Sequence, residues 1–259
     1  MRFGCCAGPE MGKALAQAGY DYIELSVSRH LQPEVADEDW APLRRAIEAQ
    51  PLPAEAFNTF LPPDLKVTGP MVEGERLSRY IHVALERAAK LGGQVVVFGS
   101  GGARNIPQGF PRETAWQQLL DFMREAGKQA ARAGVMICVE PLNRDESNVI
   151  NDLREGVRLA QQAEHPQVKA LADLYHMVRE EEPMEHLAEV GDWISHVHVA
   201  DTDRHPPGTG SYPYPAFFSC LHRMGYEGRC SVECRWQDLA EECSSALEFL
   251  RLMWKKTTL

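Results

Sequence analysis

Eight short β-rich runs alternate with eight helical patterns along this 259-residue chain, and this alternation constrains the fold more than any other feature. The predicted strands are residues 2–7, 21–27, 54–61, 95–99, 135–142, 168–175, 193–200 and 229–235. The predicted helices are residues 10–18, 37–49, 75–91, 112–133, 152–164, 183–190, 215–224 and 238–255. Each strand is followed by one helix, which predicts a parallel sheet with right-handed crossovers.

The number of units and the length of the chain favour closure of that sheet. Eight strand–helix units commonly occupy about 250 residues as a barrel, and closure removes the unpaired edges of an open sheet. We therefore predict an α/β fold, a single (β/α)₈ TIM barrel, with an open doubly wound sheet as the alternative. No linker rich in Pro, Gly or Ser divides the chain, so one domain is predicted over residues 1–259.

Charge and cysteine content disfavour several classes of partner. The chain has 27 Lys and Arg against 37 Asp and Glu, a net charge of −10 that repels nucleic acid. Its seven cysteines form no C-x₂-C pair, which favours reduced thiols. The N-terminal run MRFGCCAGPEM is unlike a signal peptide, and no apolar run reaches the length of a membrane span. We expect a cytoplasmic protein without nucleic-acid or membrane partners.

Side-chain alternation places one metal-capable residue on the inward face at the end of each of the last four strands. In VMICVE, VKALAD, SHVHVA and CSVEC the small and apolar residues share one face, and the other face carries Glu140, Asp173, His198 and Glu233. Barrel enzymes hold their active sites at this end of the strands. Carboxylates with one imidazole favour a hard or borderline dication, so we expect one divalent ion, Mn²⁺ in preference to Mg²⁺, Co²⁺ or Zn²⁺.

The spacing of barrel strands suggests what these residues can do together. Eight tilted strands close at a radius of about 7 Å, which leaves a gap of about 5 Å between Glu140 and Glu233. The two glutamates can then lie on opposite faces of a carbon acid and exchange its proton, while the metal stabilises an enediolate. A single inward carboxylate can instead cap a helix or pair with Lys or Arg. Four in successive strands favour the metal centre.

Three polar residues follow the predicted ligands in the loops at the same end. They are Glu146, His176 and Arg204. These side chains could orient the hydroxyl groups of a substrate. The alternatives are a solvated loop carboxylate, a core histidine and a surface arginine.

The segments that carry these residues resemble the xylose isomerase-like barrel superfamily of sugar isomerases, epimerases and endonuclease IV. VEPLNRDE and DLYHM are similar to ketose 3-epimerase segments, and HVHVADTDRHPPGTG is similar to both epimerases and hydroxypyruvate isomerases. Hydroxypyruvate isomerases typically have glutamine at the position of His198, so this histidine favours the epimerases. The resemblance spans nearly the whole chain, with its specific motifs between Val135 and Trp236.

The resemblance implies a role for each residue. Glu140 and Glu233 would be metal ligands and the catalytic acid–base pair, and Asp173 and His198 would complete the metal site. The same likeness implies substrate contacts for the three loop residues, Glu146, His176 and Arg204. A homodimer or homotetramer is expected on the same basis.

The resulting hypothesis is a divalent-metal-dependent isomerase or epimerase of a small keto sugar or hydroxy-keto acid, acting through a metal-bound enediolate. Three alternatives stay open at this point: an endonuclease IV-like zinc phosphodiesterase on abasic DNA, a keto-polyol dehydratase or lyase, and a non-catalytic barrel that binds a sugar or a metal. The nuclease would use Asp203 and His205 for additional zinc. It would also need histidines near strands 3 and 4, where AFNTF and VVFGS have none.

Overall fold

The structure is a computed structural model that describes residues 1–257. Its eight parallel strands follow one another in chain order around a closed barrel. The strands are β1 (Arg2–Cys6), β2 (Tyr22–Ser26), β3 (Ala54–Asn58), β4 (Val95–Phe98), β5 (Met136–Val139), β6 (Val168–Asp173), β7 (Ile194–Val199) and β8 (Arg229–Val232). Pairing of Gly4 with Ser231 and of Cys5 with Val232 joins β1 to β8 and completes the ring. The predicted TIM barrel is confirmed, and the open-sheet alternative is wrong.

Helices connect the strands on the outside of this ring. They are α1 (Gly12–Ala18), α2 (Asp37–Ala49), α3 (Gly74–Lys90), α4 (Gly101–Arg104), α5 (Arg112–Ala133), α6 (Leu153–Ala163), α7 (Leu174–Arg179), α8 (Glu185–Glu189), α9 (Tyr214–Arg223) and α10 (Leu239–Lys256). All eight predicted helices are present, and their bounds differ from the expected ones by at most two residues. The short helices α4 and α7 and a π-helical turn, Val27–Leu31, were not predicted.

Several strands end earlier than the sequence pattern suggests. The predicted strand 135–142 ends at Val139, and Pro141, which has no N–H to donate to a ladder, follows two residues later. The predicted strand 168–175 ends at Asp173, whose side chain accepts a hydrogen bond from the Tyr175 amide and so starts α7. Both changes put the predicted ligands at the point where the chain leaves the sheet.

The two faces of each strand pack into separate layers, as the alternation predicts. Val135, Ile137 and Val139 belong to the outer core between the strands and the helices. A small inner cluster fills the barrel axis, and it consists of Tyr22, Ala56, Val95, Val97, Cys138 and Leu171. The inward face is therefore apolar in its middle, and its polar residues gather toward one end.

The opposite end of the barrel is closed by an ion-pair cluster. Glu55 on β3 accepts hydrogen bonds from Arg2 at 2.5 Å and from Arg229 at 2.6 Å. These three side chains lie at the N-terminal ends of their strands, the end that serves stability in barrels of this kind. The predicted site residues lie at the other, C-terminal end of the strands.

The single domain predicted for residues 1–259 includes Thr258 and Leu259, which lie outside the described residues. Among the helices of residues 1–257, none combines the length and the apolar character that crossing a bilayer requires.

Close contact between Gly4 and the Tyr22 ring generates the first prediction. A Cβ at Gly4 would lie 2.2 Å from Tyr22 Cε2, and the ring is held because its hydroxyl hydrogen-bonds Ser231 Oγ at 2.8 Å. Gly4→Ala should therefore lower the free energy of unfolding by about 1–3 kcal/mol through overpacking. Urea denaturation followed by circular dichroism measures this change.

Gly74→Ala is the matched control for this substitution. Gly74 begins α3, and a Cβ there would meet no atom within 4 Å. Since alanine favours a helix over glycine, this variant should be as stable as the parent or more so. Equal denaturation midpoints for both variants would contradict the packing argument.

Candidate active site

The four predicted ligands meet at the C-terminal mouth of the barrel. Asp173 ends β6 and His198 lies near the end of β7, while Glu140 and Glu233 directly follow β5 and β8. One ligand atom from each of the four lies within 4.8 Å of the others. His198 Nδ1 is 3.1 Å from Glu140 Oε1 and 3.7 Å from Glu233 Oε2. A ligand atom of Glu140 thus lies within 4.8 Å of one of Glu233, which agrees with the gap between these two side chains expected from strand spacing.

Backbone pairing beyond the strand ends holds the two glutamates in place. The Glu140 amide donates to Phe98 O at 3.1 Å, and the Glu233 amide donates to Val199 O at 3.0 Å. Gly99 leaves room for the Glu140 carboxylate, because a Cβ there would lie 2.1 Å from Oε2. Both side chains therefore point inward from positions fixed by the sheet.

Two of the carboxylates also cap a helix or pair with an arginine, the roles that a single inward carboxylate can have. The four residues nevertheless lie together. Asp173 Oδ1 accepts from the Tyr175 amide at 2.7 Å and caps α7. Glu233 accepts from Arg204 at 2.6 Å and from Asn58 at 3.0 Å. Each carboxylate oxygen has two lone pairs, so these bonds leave capacity for a cation.

The electrostatics of the group fit a bound divalent cation. Burial, with Glu233 and Asp173 nearby, raises the pKa of Glu140, and burial with Glu233 nearby raises the pKa of Asp173 to about 6. Burial opposes protonation of His198, yet Glu24 and Glu233 hold its pKa well above the usual range. The centre thus carries more negative charge than its own side chains neutralise. Three carboxylates and one imidazole suit a hard or borderline dication in place of that proton.

A buried carboxylate on β2, Glu24, hydrogen-bonds the ring of His198 on the side away from the other three candidate ligands. Glu24 accepts hydrogen bonds from His198 Nε2 at 2.9 Å, His196 Nε2 at 2.8 Å and Ser231 Oγ at 2.5 Å. Burial alone would raise the pKa of Glu24, but His198 and His196 hold it below its usual range. Because His198 donates through Nε2 to Glu24, its Nδ1 is the nitrogen that faces the other ligands.

A second group of possible ligands shares His198 with the first. Cys6, Glu24 and His198 offer atoms within 4.8 Å of one another. Glu24 already accepts three hydrogen bonds, and burial raises the pKa of Cys6 well above the ordinary thiol range. Glu140, Asp173, His198 and Glu233 are therefore the stronger candidate set for a metal ion.

His176 places a buried ring nitrogen beside the centre. Its Nδ1 accepts from the Asn143 amide at 3.0 Å and lies 2.9 Å from the Asn143 side-chain nitrogen. The ring proton is then on Nε2, which is buried and has no hydrogen-bond partner among the described residues. Nε2 lies 3.7 Å from Asp173 Oδ2. A buried donor of this kind is available to an acceptor on a bound molecule.

Arg204 and Glu146 close the other side of the pocket. Arg204 donates to Glu146 at 3.0 Å and to Glu233 at 2.6 Å, and its guanidinium lies 4.8 Å from the centre of the Tyr175 ring. Asn143 donates to Glu146 at 3.1 Å. The structure thus brings all three predicted loop residues to the mouth. They are neither isolated nor on a remote surface.

Two adjoining cavities open at this mouth. The first, the metal-side cavity, has a volume of about 260 Å³ and is lined by Gly99, Glu140, Glu146, Arg204 and Glu233 among others. The second, the β2-side cavity, has a volume of about 280 Å³ and is lined by Cys6, Glu10, Glu24, Ser26, Arg29 and His30 among others. Asn58 and Thr59 line both. The mouth is therefore divided into two compartments.

A larger cavity of about 870 Å³ lies outside the barrel beside α5 and α6. Neither of the metal-capable groups found among the described residues lies there, so convergent side chains locate the site better than volume does. Asp203 and His205, the additional zinc ligands of an endonuclease IV-like centre, are exposed and belong to neither group.

Three site residues were missed by the sequence analysis: Glu24, Asn58 and Asn143. Glu24 stands at an inward position in the strand YIELS, so the parity argument applied to β2 would have identified it. Asn143 lies between Glu140 and Glu146 in PLNRDE, and Asn58 ends β3. Nothing in their local sequence indicates that they bond Glu146 and Glu233.

The chain is similar in sequence to a known barrel family and to known sugar epimerases. Residues 13–253 match the family model described as xylose isomerase-like TIM barrel. The chain is 31% identical over 194 residues to 3-dehydro-D-guloside 4-epimerase of Escherichia coli K12, covering 71% of this chain and 74% of that protein. It is 34% identical over 119 residues to D-psicose 3-epimerase of Ruminiclostridium cellulolyticum, covering 46% of this chain and 41% of that protein.

A solved structure shows the same fold over nearly the full length. The structure of D-psicose 3-epimerase from Clostridium cellulolyticum H10 with D-tagatose superposes with a TM-score of 0.84 at 22% identity. The superposition covers 98% of this chain and 99% of that one.

The position of Glu24 behind His198 leads to a prediction about metal affinity. Glu24→Gln removes the negative charge that orients His198. It also places an amide NH₂, itself a hydrogen-bond donor, among the groups that donate to Glu24. We expect Mn²⁺ to bind about 10–100-fold more weakly, the usual cost of losing a partner of a metal-binding histidine. Isothermal titration calorimetry measures this affinity, and thermal denaturation checks the fold.

Glu182→Gln is a suitable control, because Glu182 is also buried but lies away from the centre. Its carboxylate accepts from the Leu153 amide at 3.0 Å and lies 3.1 Å from His186 Nδ1. This variant should lose stability without a change in Mn²⁺ affinity. Equal weakening of Mn²⁺ binding in both variants would show that Glu24 has no specific role.

Proposed function

We propose, because this chain belongs to the xylose isomerase-like TIM barrel family, that it is a divalent-metal-dependent epimerase of a small keto sugar. The observation that carries the proposal is the meeting of Glu140 and Glu233 with Asp173 and His198 within 4.8 Å. Two relatives, a 4-epimerase of a keto-glycoside and a 3-epimerase of a ketose, support epimerisation over 1,2-isomerisation.

The four side chains Glu140, Asp173, His198 and Glu233 would hold the ion, with Mn²⁺ as the expected metal. When bound, such an ion supplies a Lewis acid that polarises a keto oxygen and an adjacent hydroxyl. His198 reaches the centre through Nδ1 because Nε2 bonds Glu24 at 2.9 Å. The support from Glu24 fixes that orientation before any substrate binds.

Glu140 and Glu233 carry out the proton transfers. They follow β5 and β8, which are not neighbours in the ring, so they approach a bound carbon from different sides. One carboxylate takes the proton from the carbon beside the carbonyl, the C–H electron pair becomes the C=C bond of the enediolate, and the C=O π pair moves to the carbonyl oxygen. The other glutamic acid returns a proton to the opposite face, which inverts that carbon.

Loop residues hold the substrate during this exchange. His176 Nε2–H, which has no hydrogen-bond partner within residues 1–257, donates to a substrate oxygen beside Asp173. Arg204 donates to Glu233 at 2.6 Å and keeps that carboxylate directed into the pocket, while Glu146 is available to accept from a hydroxyl. Burial of Glu140 and His198 limits the water that could compete for these groups.

Deuterium exchange tests the proton transfer directly. Metal-loaded protein incubated with keto sugars in D₂O should place deuterium on the carbon beside the carbonyl and form the epimer, both followed by NMR. Glu140→Gln and Glu233→Gln should each lower the rate of epimerisation by about 10²–10⁴-fold, because each removes one acid–base group.

Glu75→Gln is the control for these variants, since Glu75 is an exposed residue in the first turn of α3. It should match the parent. Full exchange in both site variants would remove the acid–base pair from the mechanism. A β-elimination product in place of the epimer would identify a dehydratase or lyase on the same scaffold.

The number of ions separates the epimerase from an endonuclease IV-like enzyme. Elemental analysis should find about one divalent ion per chain, since one set of four ligands gathers at the mouth and a trinuclear zinc site would need more. Chelation should abolish epimerisation, and Mn²⁺ should restore it. About three zinc ions per chain together with cleavage of abasic DNA would favour the nuclease.

A further inference from the structure

The β2-side cavity is a second polar compartment that the epimerisation does not use. Its volume, about 280 Å³, is close to that of the metal-side cavity, about 260 Å³. Each alone falls just below the roughly 300–1,000 Å³ range of most small-molecule pockets. Because Asn58 and Thr59 line both, the two cavities adjoin, and their combined volume falls within that range.

The side chains of this cavity offer both hydrogen-bond donors and acceptors. The Arg29 guanidinium makes no hydrogen bond or ion pair within the part of the chain that the structure describes. His30 Nδ1 accepts from the Ser26 amide at 2.9 Å, which leaves the proton on Nε2 as a further donor. The Glu10 carboxylate folds over Gly8, where a Cβ would lie 2.2 Å from Oε1, and acts as an acceptor.

Unusual backbone geometry presents these groups to the mouth. Arg29 and His30 lie in the π-helical turn Val27–Leu31, which directly follows β2 and ends at Gln32 with a φ of 47°. Thr59, which lines both cavities, has a φ of 50°. A β-branched residue in the left-handed region is strained, and such strain and π-helical turns gather at functional sites.

We propose that the β2-side cavity binds a neutral, hydroxyl-bearing substituent, so that the substrate is a keto sugar joined to a second sugar unit through a glycosidic bond. This inference rests on the proposed function and specifies its substrate class. Glu10 and Arg29 together suit hydroxyl groups, which both donate and accept. An anionic substituent would gain from Arg29 but would be repelled by Glu10.

Substrate pairs of different length test the proposal. The probes are 3-keto-D-glucosides with a methyl, a D-glucosyl or a D-glucuronosyl aglycone, assayed with the metal-loaded protein. We expect kcat/KM for the glucosyl compound to exceed that for the methyl compound by about tenfold or more. Arg29→Ala should reduce this ratio by about tenfold, as expected for a lost hydrogen bond from a charged group.

Two further variants make the test specific. Glu10→Gln should also reduce the glucosyl-to-methyl ratio, whereas it would raise kcat/KM for the glucuronosyl compound if the cavity preferred anions. Arg79→Ala, an exposed arginine on α3, should leave the ratio at the parent value. A ratio near one, or a ratio unaffected by both cavity variants, overturns the proposal. A preference for the glucuronosyl compound overturns the neutral assignment.

Failure of the proposed function gives a different pattern. If neither these three probes nor a free ketose such as D-psicose is converted, the epimerase assignment fails, and calorimetric binding to the metal-loaded protein then decides about the cavity. Tighter binding of the glucosyl than of the methyl compound, lost in Arg29→Ala, supports the second unit. Equal binding of both compounds overturns it.

Discussion

The buried carboxylate of Glu24 is the contact on which the mouth of this barrel depends. It joins three strands, since it stands on β2 and accepts hydrogen bonds from His196 and His198 on β7 and from Ser231 on β8. An ionised group without exposure to water requires such partners, because its desolvation is costly. The same bonds fix the direction of His198 Nδ1, so the requirement to satisfy a buried charge also orients a ligand of the proposed centre.

The alternation of side chains along a strand explains why much of the site could be predicted from the sequence. Burial of Val135, Ile137 and Val139 against the helices leaves Glu140 no direction but inward, and the closed ring brings inward residues together. The fold and the meeting of the four candidate ligands follow from this local rule. Asp173 could be placed the same way, although the start of α7 at that residue was not predicted.

The remaining contacts depend on chain segments far apart in the sequence. Asn58 bonds Glu233 across 175 residues, and Asn143 bonds His176 across 33 residues. Their geometry is set by loops whose conformations, such as the positive φ of Thr59, depend on tertiary packing rather than on residue preference. A sequence pattern identifies which residues face inward, but it does not determine which loop residues reach each other.

The two ends of the mouth are built on different principles, and this difference bears on specificity. Glu140 and Glu233 are held by ladder hydrogen bonds that any closed barrel of this register supplies, so the centre tolerates little change. Arg29 and Glu10 lie on exposed turns outside the ladder, where substitutions disturb few contacts. A barrel of this design can therefore keep the proposed proton-transfer chemistry while the turns after β1 and β2 adapt to the part of the proposed substrate that does not react.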